Sequence, residues 1–406
     1  MHREVGLLQT PFASSSPSTD TAAMQICVTT RTWLSSGCGL FAQELVAGLV
    51  QSGMAVTFIA PRAENPHYEK PQPGLKRLRP PRERRDGSHK AIRALYSLAR
   101  VFGSAVSMLR ARFSNRVFVV SIPEPLVFGV PMLALLRLTG ARIIFVAHDP
   151  VPHAWRLPER WRALEVWMHE ACYRLAAEVV VLSEPGRAKI RESFPKVSTP
   201  ISVIEHGIFV SGAPTALPGD GILLVFGALR RNKGVRESIE GAVAAHTAGV
   251  PVRLIIAGEA HNEDPDYWRA CQALAQAHPD VVDLRIGYVP DDALAHLIAE
   301  CDAFLLPYSE FFSQSGVALL AASNARPVVA SSVGGIGALI ADGMPAATVS
   351  LPVTAQGVQA GIEDFFRTPA DTWRTRAGAY RDETLQRRSW VSIAQTYRAL
   401  AERIAA

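Results

Sequence analysis

Two cations stand three residues apart in Phe226–Gly234, FGALRRNKG: Arg230 and Lys233. They follow an apolar run, Ile222–Phe226, that reads as a buried strand, and they precede helical spacing that opens at Gly234. Arginine offers a bidentate fork and lysine a compact point charge, a combination suited to a diphosphate. The same two residues also fit a solvated basic turn. A second anion-binding feature lies at Gln314-Ser315-Gly316, at the start of a small-residue helix predicted over Gly316–Ser323. Backbone N–H groups at a helix start have no partner within the helix and carry the positive end of its dipole. Glycine there permits close approach of a phosphate, although an ordinary serine N-cap has the same residues. A third candidate is His148-Asp149, at the end of the apolar run Arg142–Ala147. A neutral imidazole at a strand end is placed to hydrogen-bond an uncharged ligand or to stabilise developing charge. A core-edge histidine with a satisfied bond is the alternative. Asp149 either orients His148 or caps the next segment, and His206 reads as a hinge residue.

Strands must carry these residues, and the sequence supplies them in alternation with helices. From Met24 the pattern runs strand (Gln25–Thr30), glycine turn (Ser35–Gly39), helix (Leu40–Gln51) and strand (Ala55–Ala60), which is one βαβ unit. Arg62–His89 reads as irregular and basic. Lys90–Phe113 has helical spacing, interleaved with Arg93, Arg100, Arg110 and Arg112. Further strands are predicted at Val117–Ser121, Arg142–Ala147, Val179–Leu182 and Ser202–Ile204. Two prolines and two glycines in Ser211–Asp220 mark a linker. A second alternation follows, with strands at Ile222–Phe226, Arg253–Ala257, Val282–Ile286, Ala303–Leu306, Pro327–Ala330 and Ala347–Ser350. Helices are expected at Gly234–Thr247, Asp266–Ala277, Asp291–Glu300, Gly316–Ser323 and Gly335–Ala341, the last after a Gly334-Gly335 turn. Apolar strand runs between helices imply parallel sheets covered on both faces. The expected organisation is a disordered tail over 1–23, a Rossmann-like domain over 24–207, a linker over 208–220, a second Rossmann-like domain over 221–388 and a terminal helix over 389–406. In such sheets ligands sit at the carboxyl ends of the strands, so a ligand shared by both domains would lie in a cleft.

Composition narrows the function classes. A chain of 406 residues exceeds one ordinary domain. Five scattered cysteines show no CxxC or Cys/His spacing, which argues against a disulfide framework or a zinc site and suggests a reducing cytosol. The N-terminal stretch lacks a basic region and a long apolar core, so a signal peptide is not expected. The most apolar stretch, Leu126–Leu138, is too short to span a bilayer. Between Lys76 and Arg116 lie twelve Lys/Arg and only two acids, Glu83 and Asp86. That patch implies an anionic partner, and an anionic membrane surface suits it better than nucleic acid, because interleaved aromatics are sparse.

Four segments in order resemble the C-terminal half of a GT-B glycosyltransferase of the large retaining family that includes bacterial polysaccharide mannosyl- and glucosyltransferases. They are FGALRRNKG, IIAGEA (Ile255–Ala260), IGYVPDDALAHLIAECDAFLLPY (Ile286–Tyr308) and SQSGVALLAASNARPVVASSVGG (Ser313–Gly335). In the first half, Gly37–Gly39 resembles the family's glycine loop and Val146–Asp149 its strand-end His-Asp. Ser389–Ile404 resembles the helix that crosses back to the first domain. The resemblance implies that Arg230 and Lys233 hold the donor diphosphate. It places the distal phosphate on the N–H groups of Ser315, Gly316 and Val317, the nucleotide base at Tyr288 and Val289, and the donor sugar beside His148. Gly37 and Gly39 would admit a backbone approach to the phosphates or acceptor. Gly227, Gly258, Glu310 and Gln314 complete the implied donor-binding set. Two departures stand out. The family's pair of glutamates, with seven residues between them, falls at Ser313 and Ala321, and Glu310 is out of register. The usual Arg of the GRL motif is Ala228, with Arg230 in its place.

The resemblance thus implies hexosyl transfer from a nucleoside-diphosphate sugar, GDP-mannose or a UDP-sugar, with retention. The acceptor would be a saccharide or a polyprenyl-diphosphate-linked sugar in bacterial exopolysaccharide or cell-surface glycan synthesis. Protein cations would replace a metal, and no cofactor is expected. The expected location is the cytoplasm, with peripheral attachment to the inner face of the plasma membrane. Two alternatives remain: a sugar-nucleotide 2-epimerase of the same fold, and a non-catalytic nucleotide-sugar or membrane-binding module. A Rossmann dehydrogenase is disfavoured, because Gly37-Cys38-Gly39 lacks the third glycine and a ribose-binding acid about twenty residues on.

Overall fold

A computed structural model describes residues 24–31, 37–62, 69–81, 89–122, 125–152, 157–209, 215–260 and 264–406. The tail over 1–23, the start of the Ser35–Gly39 turn and residues 211–214 of the linker lie outside them. The chain divides into two compact units. One reaches Gly207 and is completed by Arg388–Ala406; the other is Ile208–Arg387.

The first unit holds strands β1 (Gln25–Thr30), β2 (Ala55–Ile59), β3 (Leu75–Leu78), β4 (Val117–Ile122), β5 (Arg142–Ala147), β6 (Glu178–Val181) and β7 (Ile201–Val203). They form one parallel sheet in the order β3-β2-β1-β4-β5-β6-β7. Its helices are α1 (Gly37–Gln51), α2 (Lys90–Arg112), α3 (Leu126–Leu138), α4 (Arg162–Leu175) and α5 (Glu184–Ser193). Side chains alternate across a strand, and β1 shows the result: Ile26 and Val28 enter one core, Cys27 the other. The first core is closed by α1 and by the terminal helix Trp390–Ala405, through Phe41, Leu45, Leu49, Ile393 and Tyr397. The second is closed by α2, α3, α4 and α5, through Met108, Leu133, Cys172 and Ile190.

In the second unit, strands β8 (Ile222–Phe226), β9 (Arg253–Gly258), β10 (Val282–Ile286), β11 (Ala303–Leu306), β12 (Val328–Ser331) and β13 (Ala346–Val349) form a parallel sheet ordered β10-β9-β8-β11-β12-β13. Its helices are α6 (Val235–Thr247), α7 (Pro265–Ala277), α8 (Asp291–Glu300), α9 (Gly316–Ser323), α10 (Gly334–Ala341), α11 (Ala355–Arg367) and α12 (Ala370–Arg387). The terminal helix is therefore α13. One core gathers α6, α7 and α11, the other α8, α9 and α10. Buried polar groups anchor the entry to this unit. The Asp302 carboxylate accepts from the N–H groups of Gly219, Gly221 and Ile222 at 2.6, 2.7 and 3.1 Å. Arg326, 1% exposed, donates to the carbonyls of Ile298, Thr215 and Ala216.

Three expectations are corrected. Arg62–His89 contains a strand, β3; its sequence LKRL pairs beside β2 at the sheet edge, where cations face solvent and mask the apolar alternation. Gly37–Gly39 forms the first turn of α1 rather than a loop. Gly334-Gly335 likewise opens α10.

Gly48 sets how closely α13 approaches α1: a Cβ there would stand 2.3 Å from the Trp390 carbonyl oxygen. Helix propensity alone favours Gly→Ala by about 1 kcal/mol. We expect the reverse sign for Gly48→Ala, a loss of about 1–3 kcal/mol from overpacking. Urea unfolding reads the sign, and a gain in stability would refute this account of the α1–α13 contact.

Candidate functional site

In the second unit, β8 and β11 are neighbours at the point where the strand order reverses, so a crevice opens at their carboxyl ends. After β8 the chain passes Gly227 and a short 3-10 turn, Arg231–Lys233. Gly227 has φ +102°, and a Cβ there would stand 3.6 Å from Lys233 Nζ and 3.5 Å from Val317 Cγ2. The glycine thus leaves open the space between the lysine ammonium and the start of α9. Gly258, at the end of β9, allows β9 to lie close by: a Cβ there would fall 2.0 Å from the Gly227 carbonyl oxygen. The turn is tied to the segment after β11. The Asn232 side-chain amide donates to the Glu310 carbonyl at 3.1 Å, and the Ser309 N–H donates to the Asn232 carbonyl at 2.9 Å.

Lys233 Nζ lies 5.3 Å from the centre of the buried Tyr308 ring, a cation–π contact that positions the charge without neutralising it. No carboxylate pairs with Lys233 among the described residues. Arg231 is different: it pairs with Asp264 at 3.1 Å and lies over Tyr267. The half-buried Arg230 opens the turn in an extended conformation.

Across the crevice mouth, Ser315 caps α9, its hydroxyl accepting from the Ala318 N–H at 3.2 Å. The Leu319 N–H is taken by the Ser315 carbonyl. Among the described residues, the N–H groups of Gly316 and Val317 have no protein acceptor. A Cβ at Gly316 would meet nothing within 4 Å, so that backbone faces open space. Just before the cap, Gln314 is 8% exposed and its Nε2 is buried without a hydrogen-bond partner. A buried donor left unpaired costs on the order of 1–3 kcal/mol. The crevice thus holds one ammonium and two helix-start N–H groups, all of them donors, with the buried Gln314 amide beside the cap.

The other expected residues are placed as follows. Tyr288 is 68% exposed just past β10, and Val289 packs on the core beneath. Glu310 is exposed and engages through its carbonyl, not its carboxylate. Ala321, at one glutamate position, is fully buried in the core under α9, where a carboxylate would be desolvated without a partner. Asn232, Ser309 and Tyr308 were not anticipated. Asn232 lies inside the FGALRRNKG stretch, but its bond to a carbonyl 78 residues away leaves no sequence signal.

In the first unit, His148 follows β5 and is 9% exposed. Its Nε2 shares a 2.7 Å hydrogen bond with the Ser121 hydroxyl at the end of β4. The Phe41 ring meets it edge-on at 4.7 Å, and Phe41 also contacts His206 and Trp390. Gly37 and Gly39 start α1 at the same strand ends. Burial and, secondarily, the Asp149 charge push the Cys38 thiol up to about 12. Burial pulls His148 down to about 4, against the opposing pull of Asp149. His206 is likewise lowered to about 4, chiefly by burial, with His148 and Arg388 adding to the shift and the Gly207 carbonyl opposing it. Both imidazoles are therefore neutral at physiological pH, able to donate or accept a single proton but not to act as fixed cations. Ser121, the partner of His148, was not expected from sequence.

Each histidine takes up a proton less readily folded than unfolded, where its value is near 6.5. Their contribution to stability is therefore intact above about pH 6.5 and lost as pH falls towards about 4, on the order of 2–3 kcal/mol per ring. We expect the urea midpoint to drop across that window and the drop to flatten in His148→Phe/His206→Phe. An unchanged slope in the double variant would contradict the burial of these rings.

Residues 35–211 match the family model described as Glycosyltransferase Family 4, and residues 220–364 match Glycosyl transferases group 1. A glycogen synthase of Mycobacterium tuberculosis is 28% identical over 275 residues, 66% of this chain and 62% of that protein. A GDP-mannose:glycolipid 4-beta-D-mannosyltransferase of Xanthomonas campestris pv. campestris is 28% identical over 204 residues, 49% of this chain and 52% of that protein. The chain thus spans less than two thirds of either relative. Among solved structures, sucrose-phosphate synthase of Thermosynechococcus elongatus superposes with a TM-score of 0.71 at 18% identity, covering 94% of this chain and 99% of that one. HepE of Anabaena, in complex with UDP and glucose, gives 0.67 at 16% identity, covering 94% and 100%. These two likenesses speak to the fold.

Proposed function

The chain belongs to the GT-B glycosyltransferases, and from that premise we propose that it transfers a hexose from a nucleoside-diphosphate sugar to a saccharide or lipid-linked acceptor. The observation that carries this reading is the all-donor crevice at the ends of β8 and β11. A departing nucleoside diphosphate brings negative charge to its phosphate oxygens. Lys233 and the N–H groups of Gly316 and Val317 are oriented before that charge arrives, so little reorganisation is needed as the glycosidic bond breaks. One ammonium about 4 Å from a phosphate oxygen contributes about 4 kcal/mol at an effective dielectric near 20. Arg230 supplies a second cation at the same turn. Gln314 Nε2 takes a phosphate or sugar oxygen, and the backbone at Tyr288 and Val289 meets the base. His148, neutral and tethered to Ser121, is assigned to the transferred sugar.

With this much positive charge supplied by the protein, a divalent ion is not needed for leaving-group stabilisation; undiminished turnover in EDTA is the expected result. The GDP-mannose relative favours a mannosyl donor, and the UDP complex of HepE favours UDP-sugars. A glycolipid acceptor in that same relative supports a role in exopolysaccharide or cell-surface glycan assembly. Retention follows the family resemblance. Inversion is the second reading, because that relative's name specifies a β-mannosyl product, and GDP-mannose carries its sugar in the α configuration. NMR of the product's anomeric proton distinguishes the two outcomes.

The experiment combines donor and site. Thermal shift with UDP-, GDP-, ADP- and TDP-sugars should raise the unfolding temperature for one nucleotide class, by mass action. Lys233→Ala should keep its fold and lose about 10²–10³-fold in transfer. Wild-type turnover in that variant would overturn the assignment. Donor binding without transfer to any saccharide or lipid extract would favour the non-catalytic module, and epimerised donor without an acceptor would favour the epimerase.

A further inference from the structure

Helix α2 carries apolar residues on its outward side as well as its inward one. Its inward side carries Arg100 and Ser104 as well as Val101, Met108 and Ala111, all buried. Its outward side carries Leu95, Leu98, Phe102, Val106, Leu109 and, one residue past its end, Phe113, all exposed. These recur three or four positions apart, one continuous stripe on the helix. Phe102 is 68% exposed and Phe113 94%. The apolar exposure continues onto the neighbours. Helix α3 lies beside α2, and α4 beside α3. Val127, Phe128, Leu135 and Leu138 are exposed on α3, and Trp161, Leu164 and Trp167 at the start of α4. Single exposed hydrophobics are ordinary, but three adjacent helices sharing them mark an interaction surface.

Charge decides what covers it. Between Asp86 and Asp149, the stretch that holds α2 and α3, the sequence has eight Lys/Arg and a single acid, Glu124, whereas α4 and the turn before it are balanced, with Glu159, Glu165 and Glu170 beside Arg160, Arg162 and Arg174. Arg93 and Arg110 on α2, Arg137 on α3 and Arg160 before α4 are exposed. A second copy of this chain would set this basic face against itself, with like charges opposed. An anionic bilayer offers an apolar phase and opposite charge together. Tyr96, Trp161 and Trp167 have the apolar body and polar tip that suit a headgroup boundary. No helix among the described residues is long and apolar enough to cross a membrane, so the contact is with the surface. We propose that the α2–α3–α4 face of the first unit inserts into the interfacial region of an anionic bilayer, with α2 lying in the membrane plane. Apolar insertion anchors it and the arginines select anionic lipid. This sharpens the basic-patch expectation for Lys76–Arg116: Arg100 is buried and cannot meet lipid, while half of the anchoring surface lies beyond Arg116. Only the link to a lipid-borne acceptor rests on the proposed function; the membrane contact itself does not.

The test is flotation of the full chain, without nucleotide-sugar, on phosphatidylcholine–phosphatidylglycerol vesicles and on phosphatidylcholine vesicles. We expect co-flotation with the anionic vesicles and weaker flotation with the neutral ones. Phe102→Ser/Phe113→Ser, two exposed positions whose replacement should leave the thermal midpoint unchanged, should weaken binding by at least about tenfold. Tryptophan quenching by brominated acyl chains should disappear in Trp161→Phe/Trp167→Phe. Wild-type protein that fails to float on either vesicle overturns the proposal. Binding that survives both serines and vanishes in high salt overturns insertion as the anchor. A solution dimer that the serine variant converts to monomer reassigns the face to self-association. Because no donor or acceptor is present, flotation fails or succeeds independently of the transfer assay with a soluble acceptor.

Discussion

Two strands lying side by side while their following helices leave to opposite faces constitute the constraint on which the second unit's chemistry depends. After β8 the chain turns into α6, which packs into one core; after β11 it turns into α9, which packs into the other. Hydrogen bonding between β8 and β11 therefore holds apart two departing loops, and the gap between them is the crevice. Asn232 and Ser309 then tie the loops together across its rim. Without that tie Lys233, on a long flexible stem, would sample many positions; with it, the ammonium is held near the Tyr308 ring and the start of α9. Preorganisation of donors lies in the sheet topology first and in the side chains second.

The two units use different electrostatics at equivalent places. Both sheets reverse strand order beside their first strand, and in both the candidate residues follow strand ends. The second unit presents fixed positive charge and unpaired backbone donors, a setting for an anion. The first presents a desolvated, neutral imidazole among aromatic rings and a serine hydroxyl, a setting for an uncharged polar group. An anion suits the former and an uncharged polar group the latter.

The absence of a glutamate at 321 has a packing explanation. Helix α9 is built from small and aliphatic residues because it is buried on most sides, and Ala321 belongs to that packing. A carboxylate at 321 would need a compensating donor in an apolar core. Just before the start of α9 stands Gln314 instead, a neutral amide whose Nε2 is buried without a hydrogen-bond partner.

Much of the architecture was legible locally. Buried parallel strands read as short apolar runs, so Ile222–Phe226 and Ala303–Leu306 are legible to the residue, and the edge strand Val282–Ile286 shows itself by alternating apolar and charged residues. Strand β3 escaped because edge strands need not be apolar, and Gly37–Gly39 and Gly334-Gly335 read as turns because glycine weakens every helix signal. Of the candidate site, Arg230, Lys233, Gln314–Val317 and His148 were visible as residue types at strand ends and a helix start, since strand–loop–helix order is a property of the chain itself. The sequence by itself thus determined the element order, the parallel sheets and the identity of the cationic turn. Only the tertiary structure decided that Arg231 is occupied by Asp264, that Asn232 closes the crevice rim, that His148 is held by Ser121 and that α2 turns its leucines and phenylalanines to solvent. Those four facts depend on contacts between residues distant in sequence or on the direction a helix faces, and neither quantity is set until the sheets have assembled.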